Sequence, residues 1–362
     1  MRLVKNFVSI LLITIVLFLA FDFMLSYLGF TPNMKRRNDT VKGVVHPVYH
    51  HDLKQNLDII DTWGPVKYRL CTNQFGFKIS CNNERTIQKD FDVAFIGDSF
   101  TESIGITYED SFVGLYALKH PHVAVANLGV SSYSPSIYWK KIDYLLNNGF
   151  TFKHLVVLPD ISDIRDEVLL YAIDEKSGAV VDNIRRNDSE EKINRRSESV
   201  FHRILMRYFT FTWYANCRLY DYFSNDEAVI KENQTASWTR NIDSPFFGKN
   251  GVSIGIQRNL EYMKNLKHLL DKHGIKMTIV VYPWPAQLFF EDQSHLGVQI
   301  WKDFCIKENC YNFIDANPAF FDEIQKSSKK EVIKKYYIND DSHFNEEGNK
   351  IMFEIINTHL KL

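Results

Sequence analysis

The chain has 362 residues, 45% of them hydrophobic and 24% charged, enough to bury a large core as one big domain or two smaller ones. Its formal net charge of −1 gives no basic surface of the kind nucleic-acid binders carry, so no nucleic-acid partner is expected. The aromatic content of 14% is high, but cores also use Phe and Tyr, and it decides little.

The N-terminus is the first informative stretch. After Met1–Asn6 comes FVSILLITIVLFLAFDFMLSYLGF, Phe7 to Phe30. It is long enough to cross a hydrocarbon layer of about 30 Å. It exceeds the apolar core of a secretory signal, and no small-x-small cleavage site follows. The expectation is an uncleaved transmembrane anchor over residues 1–30, with Asp22 late in the span near the interface. Arg2 and Lys5 before the span are balanced by Lys35, Arg36 and Arg37 after it, so charge does not orient it. Cysteine spacing tips the choice. Cys71 and Cys81 form one close pair, Cys305 and Cys310 another, and Cys217 is left over. Two local pairs suit disulfides, five reduced thiols being the alternative, and neither pair has CxxC metal-site spacing. This favours an extracytoplasmic, periplasmic catalytic portion on a single-pass anchor in the cytoplasmic membrane.

Residues 31–90 are polar, with turn signals and little periodicity, and read as a linker leading into an N-terminal lobe. His46, His50 and His51 lie here, without a carboxylate or cysteine at ligand spacing, so they read as structural or solvent-facing. From residue 91 strand-like and helix-like segments alternate. DVAFIG, HVAVANLG, HLVVLPD, KMTIVVYPWP and YNFID read as five buried strands separated by helical stretches. The helix GIQRNLEYMKNLKHLLDKHG places Leu260, Met263, Leu266, Leu269 and Leu270 on one face, and Gly274 ends it. Such alternation predicts an α/β fold of three α/β/α layers around a five-stranded parallel sheet. Residues 91–362 would form this domain. An insertion at about 168–250 breaks the pattern with a charged stretch and an aromatic-rich helix, RILMRYFTFTWYANCRLYDYF. It would serve as a lid or substrate wall, or as extra packing. Three glycosylation-type triplets, at Asn38, Asn187 and Asn233, are frequent by chance.

Candidate chemistry begins where the first strand of the domain stops, at Gly97-Asp98-Ser99. A strand end is where parallel sheets gather ligands. A serine hydroxyl attacks well only if a base takes its proton, and that base is usually a histidine oriented by a carboxylate. YYINDDSHFNEEGNKIM supplies both: Asp340 and His343 are three apart, ahead of a polar cap and a helix.

GDSF at Gly97–Phe100, NLGVSSYS at Asn127–Ser134 and DDSHFNEEGN near the C-terminus together resemble the SGNH (GDSL-type) hydrolases. The resemblance covers roughly 91–165 and 255–362, with the insertion outside it. It implies a flavodoxin-like sheet with no cofactor and no metal. It implies Ser99 as nucleophile, His343 as general base and then acid, and Asp340 as orienting carboxylate, with Asp341 the competitor. The implied oxyanion hole includes the backbone N–H groups of Ser99 and Gly129, each such donor worth roughly 3 kcal/mol. The family's third block, Gly-x-Asn-Asp, is replaced by LPDISDIRDE, which puts Asp160 at the glycine and Ser162 at the asparagine. A Ser162 hydroxyl is a shorter, less well aimed donor, and Asp160 and Asp163 would oppose an oxyanion unless paired. With the anchor, the YPWPAQL stretch and the Asn73–Lys78 lead-in, the chain is similar to bacterial membrane-anchored members linked to surface-polysaccharide acylation or deacylation. Trp284 between two prolines reads as a platform for a sugar ring, or as a packed core residue.

The expected activity is that of a serine esterase or acyltransferase on O-acyl, chiefly O-acetyl, groups of a cell-envelope polysaccharide. Expected partners are the O-acylated glycan or acyl donor, the membrane, and a membrane protein that supplies acyl groups. Two alternatives are a catalytically weakened glycan-binding or scaffold protein, and a lipid-directed esterase or thioesterase.

Overall fold

The computed structural model describes residues 2–28, 42–64, 66–82, 87–183, 208–212, 215, 234–248 and 251–360. Cys217, the Lys35–Arg37 cluster, the asparagines of the three glycosylation-type triplets and most of the insertion lie outside them. The chain divides into two units: 1–36 with 185–229, and 37–184 with 230–362.

In the first unit, α1 (Arg2–Tyr27) contains one stretch long and apolar enough to cross a membrane, Ser9–Tyr27, with a mean hydropathy of 2.4. Its described side chains are largely exposed, but Asp22 is buried. The Asp22 carboxylate accepts from the backbone N–H of Phe211 (3.0 Å) and Thr212 (2.7 Å) and from the Thr212 hydroxyl (2.6 Å). The Phe23 ring lies 5.9 Å from those of Tyr208 and Phe209.

The second unit is built on an eight-stranded sheet and two small hairpins. β1 (Gly43–His46) and β2 (His50–Leu53) form the first hairpin. β3 (Asp58–Trp63), β4 (Val66–Thr72) and β5 (Lys78–Ile79) join the main sheet in antiparallel register. β6 (Asp90–Gly97), β7 (Val125–Asn127), β8 (Thr151–Leu158), β11 (Lys276–Val281) and β12 (Asn312–Asp315) are mutually parallel. β9 (Tyr171–Ile173) and β10 (Val180–Asp182) form the second hairpin. Across the main sheet the order is β12-β11-β8-β6-β7-β5-β4-β3.

This differs from the expected five-stranded parallel sheet: three antiparallel strands from the segment read as linker and lobe extend it beyond β7. The strands were hard to see because their residues do not alternate cleanly. β3 reads DIIDTW, with Ile60 exposed. The parallel strands show why they sit centrally. Val93 and Phe95 face one apolar cluster and Ala94 and Ile96 the other, so β6 is apolar on both faces.

Helices cover both faces. α2 (Ser99–Glu102) is a single turn, and α3 (Phe112–Lys119) packs on the Val93/Phe95 face with the C-terminal helix Glu346–His359. α4 (Pro135–Asn147), Gly251–Lys272 and Leu296–Glu308 cover the other. The strand order reverses between β6 and β8, the position at whose carboxyl ends open parallel sheets gather ligands. Disulfides join Cys71 to Cys81 and Cys305 to Cys310.

Candidate active site

Ser99 is delivered by a sharp turn. β6 runs to Gly97, where a Cβ would collide with the Thr101 hydroxyl and approach the Leu158 carbonyl to 2.8 Å, so only glycine fits. Asp98 then caps α2, its carboxyl accepting from Phe100 N–H at 2.9 Å. Ser103 ends the turn in the left-handed region, φ 52°. The Ser99 hydroxyl is left 2.7 Å from His343 Nε2 and 3.1 Å from Asp98 Oδ2.

His343 is held by its own loop. Ile338 N–H donates to the His343 carbonyl (2.8 Å), and an isolated bridge pairs Tyr337 with Phe344. The imidazole is 4.9 Å from the Phe100 ring and 5.0 Å from the Trp63 ring, to which it is nearly perpendicular. Its Nδ1 is 2.5 Å from Asp341 Oδ1, which also accepts from His343 N–H at 3.0 Å. Trp63 Nε1 donates to the other oxygen, Oδ2, at 2.8 Å. Burial pushes the Asp341 carboxyl up, but the His343 and Trp63 contacts outweigh it and hold the group below its ordinary value. A carboxylate on Nδ1 fixes the proton there, so Nε2 presents its lone pair to the Ser99 hydroxyl.

The carboxylate that reaches the His343 ring is therefore Asp341 and not the expected Asp340. Asp340 is exposed at φ 58°, and its carboxylate accepts from Asn339 Nδ2 at 3.4 Å. The left-handed turn at residue 340 throws that side chain outward and brings the next residue to the ring.

Two of the implied oxyanion donors point elsewhere. Gly129 lies against α2, where a Cβ would meet Glu102 N and Thr101 Cβ at 2.6 Å. Its N–H donates to Asn127 Oδ1 (3.0 Å), and Asn127 in turn donates to the Thr101 carbonyl (2.9 Å). Ser162 donates both its N–H (2.8 Å) and its hydroxyl (2.6 Å) to Asp160 Oδ1. Of the two readings of Trp284, the structure matches the packed core residue and not the exposed sugar platform. It is 6% exposed, stacks on Phe100 at 5.9 Å, and donates its indole N–H to Asp160 Oδ2 at 2.8 Å. Tyr282 donates to the same oxygen at 2.9 Å.

Asp98, Asp160, Asp163 and Asp166 are all buried here. Burial, reinforced by the charge of Asp160, pushes the carboxyls of Asp98 and Asp163 well above their ordinary range. The Ser99 hydroxyl has one proton and two acceptors within reach, and the burial that disfavours the Asp98 carboxylate weakens its hold on that proton relative to His343.

A second network holds α2 from below. Lys78 Nζ donates to the carbonyls of Glu102 (2.8 Å), Ser103 (2.9 Å) and Ile106 (2.7 Å). Lys42 Nζ pairs with Glu102 Oε1 at 2.8 Å, and Ser131 N–H donates to Glu102 Oε2 at 2.8 Å. The three histidines are packing residues. His51 Nε2 is 2.8 Å from the Ser131 carbonyl, its Nδ1 is 2.8 Å from His50 Nδ1, and the His46 ring stacks on Tyr49. Sequence reasoning missed Trp63, Lys78 and Lys42. They stand in the segment without periodicity, and no motif marks them.

No family model matches the chain, and no curated protein matches it. Solved structures do. The acetylxylan esterase Axe2 of Geobacillus stearothermophilus is similar at 9% identity and a TM-score of 0.40, over 74% of this chain and 93% of that one. TesA matches at 9% identity and 0.40, over 75% and 98%. A lipolytic protein of the G-D-S-L family from Veillonella parvula matches at 11% and 0.40, over 74% and 96%.

Proposed function

We propose that the chain is a serine esterase or acyltransferase of the SGNH type, acting on O-acetyl or related O-acyl groups of a cell-envelope polysaccharide. The observation that carries the reading is the continuous line Ser99 Oγ, His343 Nε2, His343 Nδ1, Asp341 Oδ1, with 2.7 and 2.5 Å contacts at its two joints.

In this reading Ser99 Oγ attacks the acyl carbonyl carbon while its proton passes to His343 Nε2. The tetrahedral adduct collapses, the C–O bond to the sugar breaks, and the imidazolium protonates the departing sugar oxygen. The acyl group now sits on Ser99. Water or a second sugar hydroxyl, deprotonated by His343, attacks it and frees the serine. Asp341 stays ionised throughout and stabilises the imidazolium. Hydrolysis and transfer share these residues and differ in the acceptor that reaches the acyl-enzyme.

A cavity of about 690 Å³ opens beside α2 rather than at Ser99 itself, with Glu102, Ser131 and His51 on its polar side and Val44, Val130 and Val180 on its apolar side. That volume gives a ligand of sugar size room next to the turn that carries Ser99. A retained anchor, rather than a cleaved signal, is supported by the pairing of Asp22 with Phe211 and Thr212. Such a contact is lost if α1 is removed. The two disulfides support an extracytoplasmic site.

A second reading, a glycan-binding protein with weakened catalysis, is favoured by one observation. Gly129 N–H and the Ser162 hydroxyl both donate inside the protein. The deciding experiment offers p-nitrophenyl acetate to the full chain in detergent micelles and reads product release, with mass spectrometry of Ser99 and Ser99→Ala as control. Acetylation of Ser99 followed by release gives an esterase. A persistent acetyl-serine released by added glycan gives a transferase. No acetylation of the folded protein by any acetyl donor favours the binding reading.

A further inference from the structure

We propose that Trp63 is a fourth, positioning member of the Ser99–His343–Asp341 line, supplied from the edge of the sheet; this rests on the catalytic reading above. Trp63 is the last residue of β3, the outermost strand, and lies 278 residues from the aspartate it holds. Its indole N–H reaches Asp341 Oδ2 at 2.8 Å, while Oδ1 takes both His343 contacts.

The two oxygens thus have separate jobs. The Asp341 side chain keeps 22% exposure, so without a donor on Oδ2 water would compete for it and the carboxylate could turn about its Cβ–Cγ bond. Turning takes Oδ1 off the imidazole and loses the tautomer that points a lone pair at Ser99. The indole ring also meets His343 nearly perpendicular with centroids 5.0 Å apart, and the Phe100 ring lies 4.9 Å away, so two rings crowd the imidazole and hinder its flipping.

Trp63 is itself well fixed. It is 7% exposed and packs with Tyr68, Leu70, Ile104 and Ile338. Ile104 follows the nucleophile turn and Ile338 precedes the histidine loop, so one side chain braces both segments. A Cβ at Gly105, which has φ +82°, would lie 2.9 Å from Ile338 and 3.5 Å from Trp63, so the backbone of the first segment comes close to both. The three antiparallel strands therefore do more than widen the sheet: they bring this N–H to the reacting triad.

The test uses the full chain in micelles with Trp63→Phe, which keeps an aromatic ring and removes the donor. A second variant places 3-benzothienylalanine at position 63, keeping the bicyclic shape with sulfur in place of N–H. Two readouts are taken: kcat and KM for p-nitrophenyl acetate, and the low-field proton resonance of His343 Nδ1–H, assigned by its loss in His343→Ala. The expected result in both variants is a kcat lower by roughly 10–100-fold, the scale of one hydrogen bond to a charged group, with KM little changed. The low-field resonance should broaden or move upfield in both variants, while the melting temperature should fall in Trp63→Phe, which loses buried ring volume, and stay close to that of the parent in the isosteric benzothienyl variant. A variant that keeps the parental kcat and the parental resonance overturns the proposal. If the parent turns over no ester, the catalytic reading fails on its own. The resonance still decides the positioning: unchanged in both variants, it overturns it, and shifted in the benzothienyl variant, it upholds it.

Discussion

Two aspartates stand side by side before His343, and backbone conformation alone decides between them. Asp340 takes the left-handed turn, and Asp341 faces the ring. Asp341→Asn should leave a neutral amide that cannot hold the Nδ1 proton, and kcat should fall by about 10³–10⁴-fold. Asp340→Asn should change it by less than about twofold, as expected of an exposed side chain far from any buried partner. Steady-state kinetics of the two variants on the same activated ester checks both, and equal losses would return Asp340 to the mechanism. The meeting of Ser99 with His343 was legible in the sequence because a strand end and a helix cap fix their places. The aspartate that reaches the imidazole was not, because residue spacing says which side chains share a loop and not which one the loop turns inward. Ser162 and Trp284 failed for a related reason. Each aligns with a plausible role, but both donate to Asp160, and a buried carboxylate among other carboxylates must gather donors.

Among the elements, the turn α2 matters most, because it is one turn long and cannot hold itself. Gly129 lets the loop after β7 close on it, and Lys78 bonds the carbonyls at its far end. Gly129→Ala would force a methyl group within 2.6 Å of Glu102 N, so it should cost about 1–3 kcal/mol and displace Ser99. Thermal unfolding together with ester turnover would reveal it, and a variant with parental values in both would contradict that packing. Lys78 gives a pH prediction. Burial, against the pull of Glu102, drives its ammonium down to about 7. The unfolded chain keeps that proton up to an ordinary lysine value near 10.5, so between the two the unfolded state holds more protons and stability rises with pH. Lys78→Met lacks this rise, so the stability gap between parent and variant should widen from pH 7 to pH 10. Denaturant titrations at those two values measure it, and a gap that narrows would give the opposite sign. The parallel strands announced themselves by apolar runs, whereas β3, β4 and β5 did not. β3 lies at the sheet edge, where exposure removes the pattern, and β5 is two residues long.

For the whole molecule, the question is whether α1 remains with the catalytic unit. Its composition satisfies a signal segment as well as an anchor. The buried Asp22 separates the two. An ionisable residue within an apolar span is costly unless it is paired, and this one accepts from Phe211, Thr212 and Ser26. Ser26 Oγ also lies 2.8 Å from Thr210 Oγ1, which places two side chains 184 residues apart within cross-linking range. Replacing both by cysteine, in a chain that carries Cys217→Ser, should yield a disulfide when membranes holding the full-length protein are oxidised. After proteolysis between residues 30 and 200, the N-terminal fragment should then stay joined to the remainder on a non-reducing gel and separate on a reducing one. Signal cleavage predicts the contrary: the mature chain would lack residue 26, its intact mass would be short by the helix, and no oxidant could make the link. A retained helix with no cross-link would instead leave the anchor in place and remove the pairing with residues 208–212. The same preparation reports on compartment, because two disulfides among five cysteines leave one free thiol in the unfolded, unreduced parent. Labelling of five thiols would place the domain in a reducing environment, where a periplasmic glycan could not be its substrate.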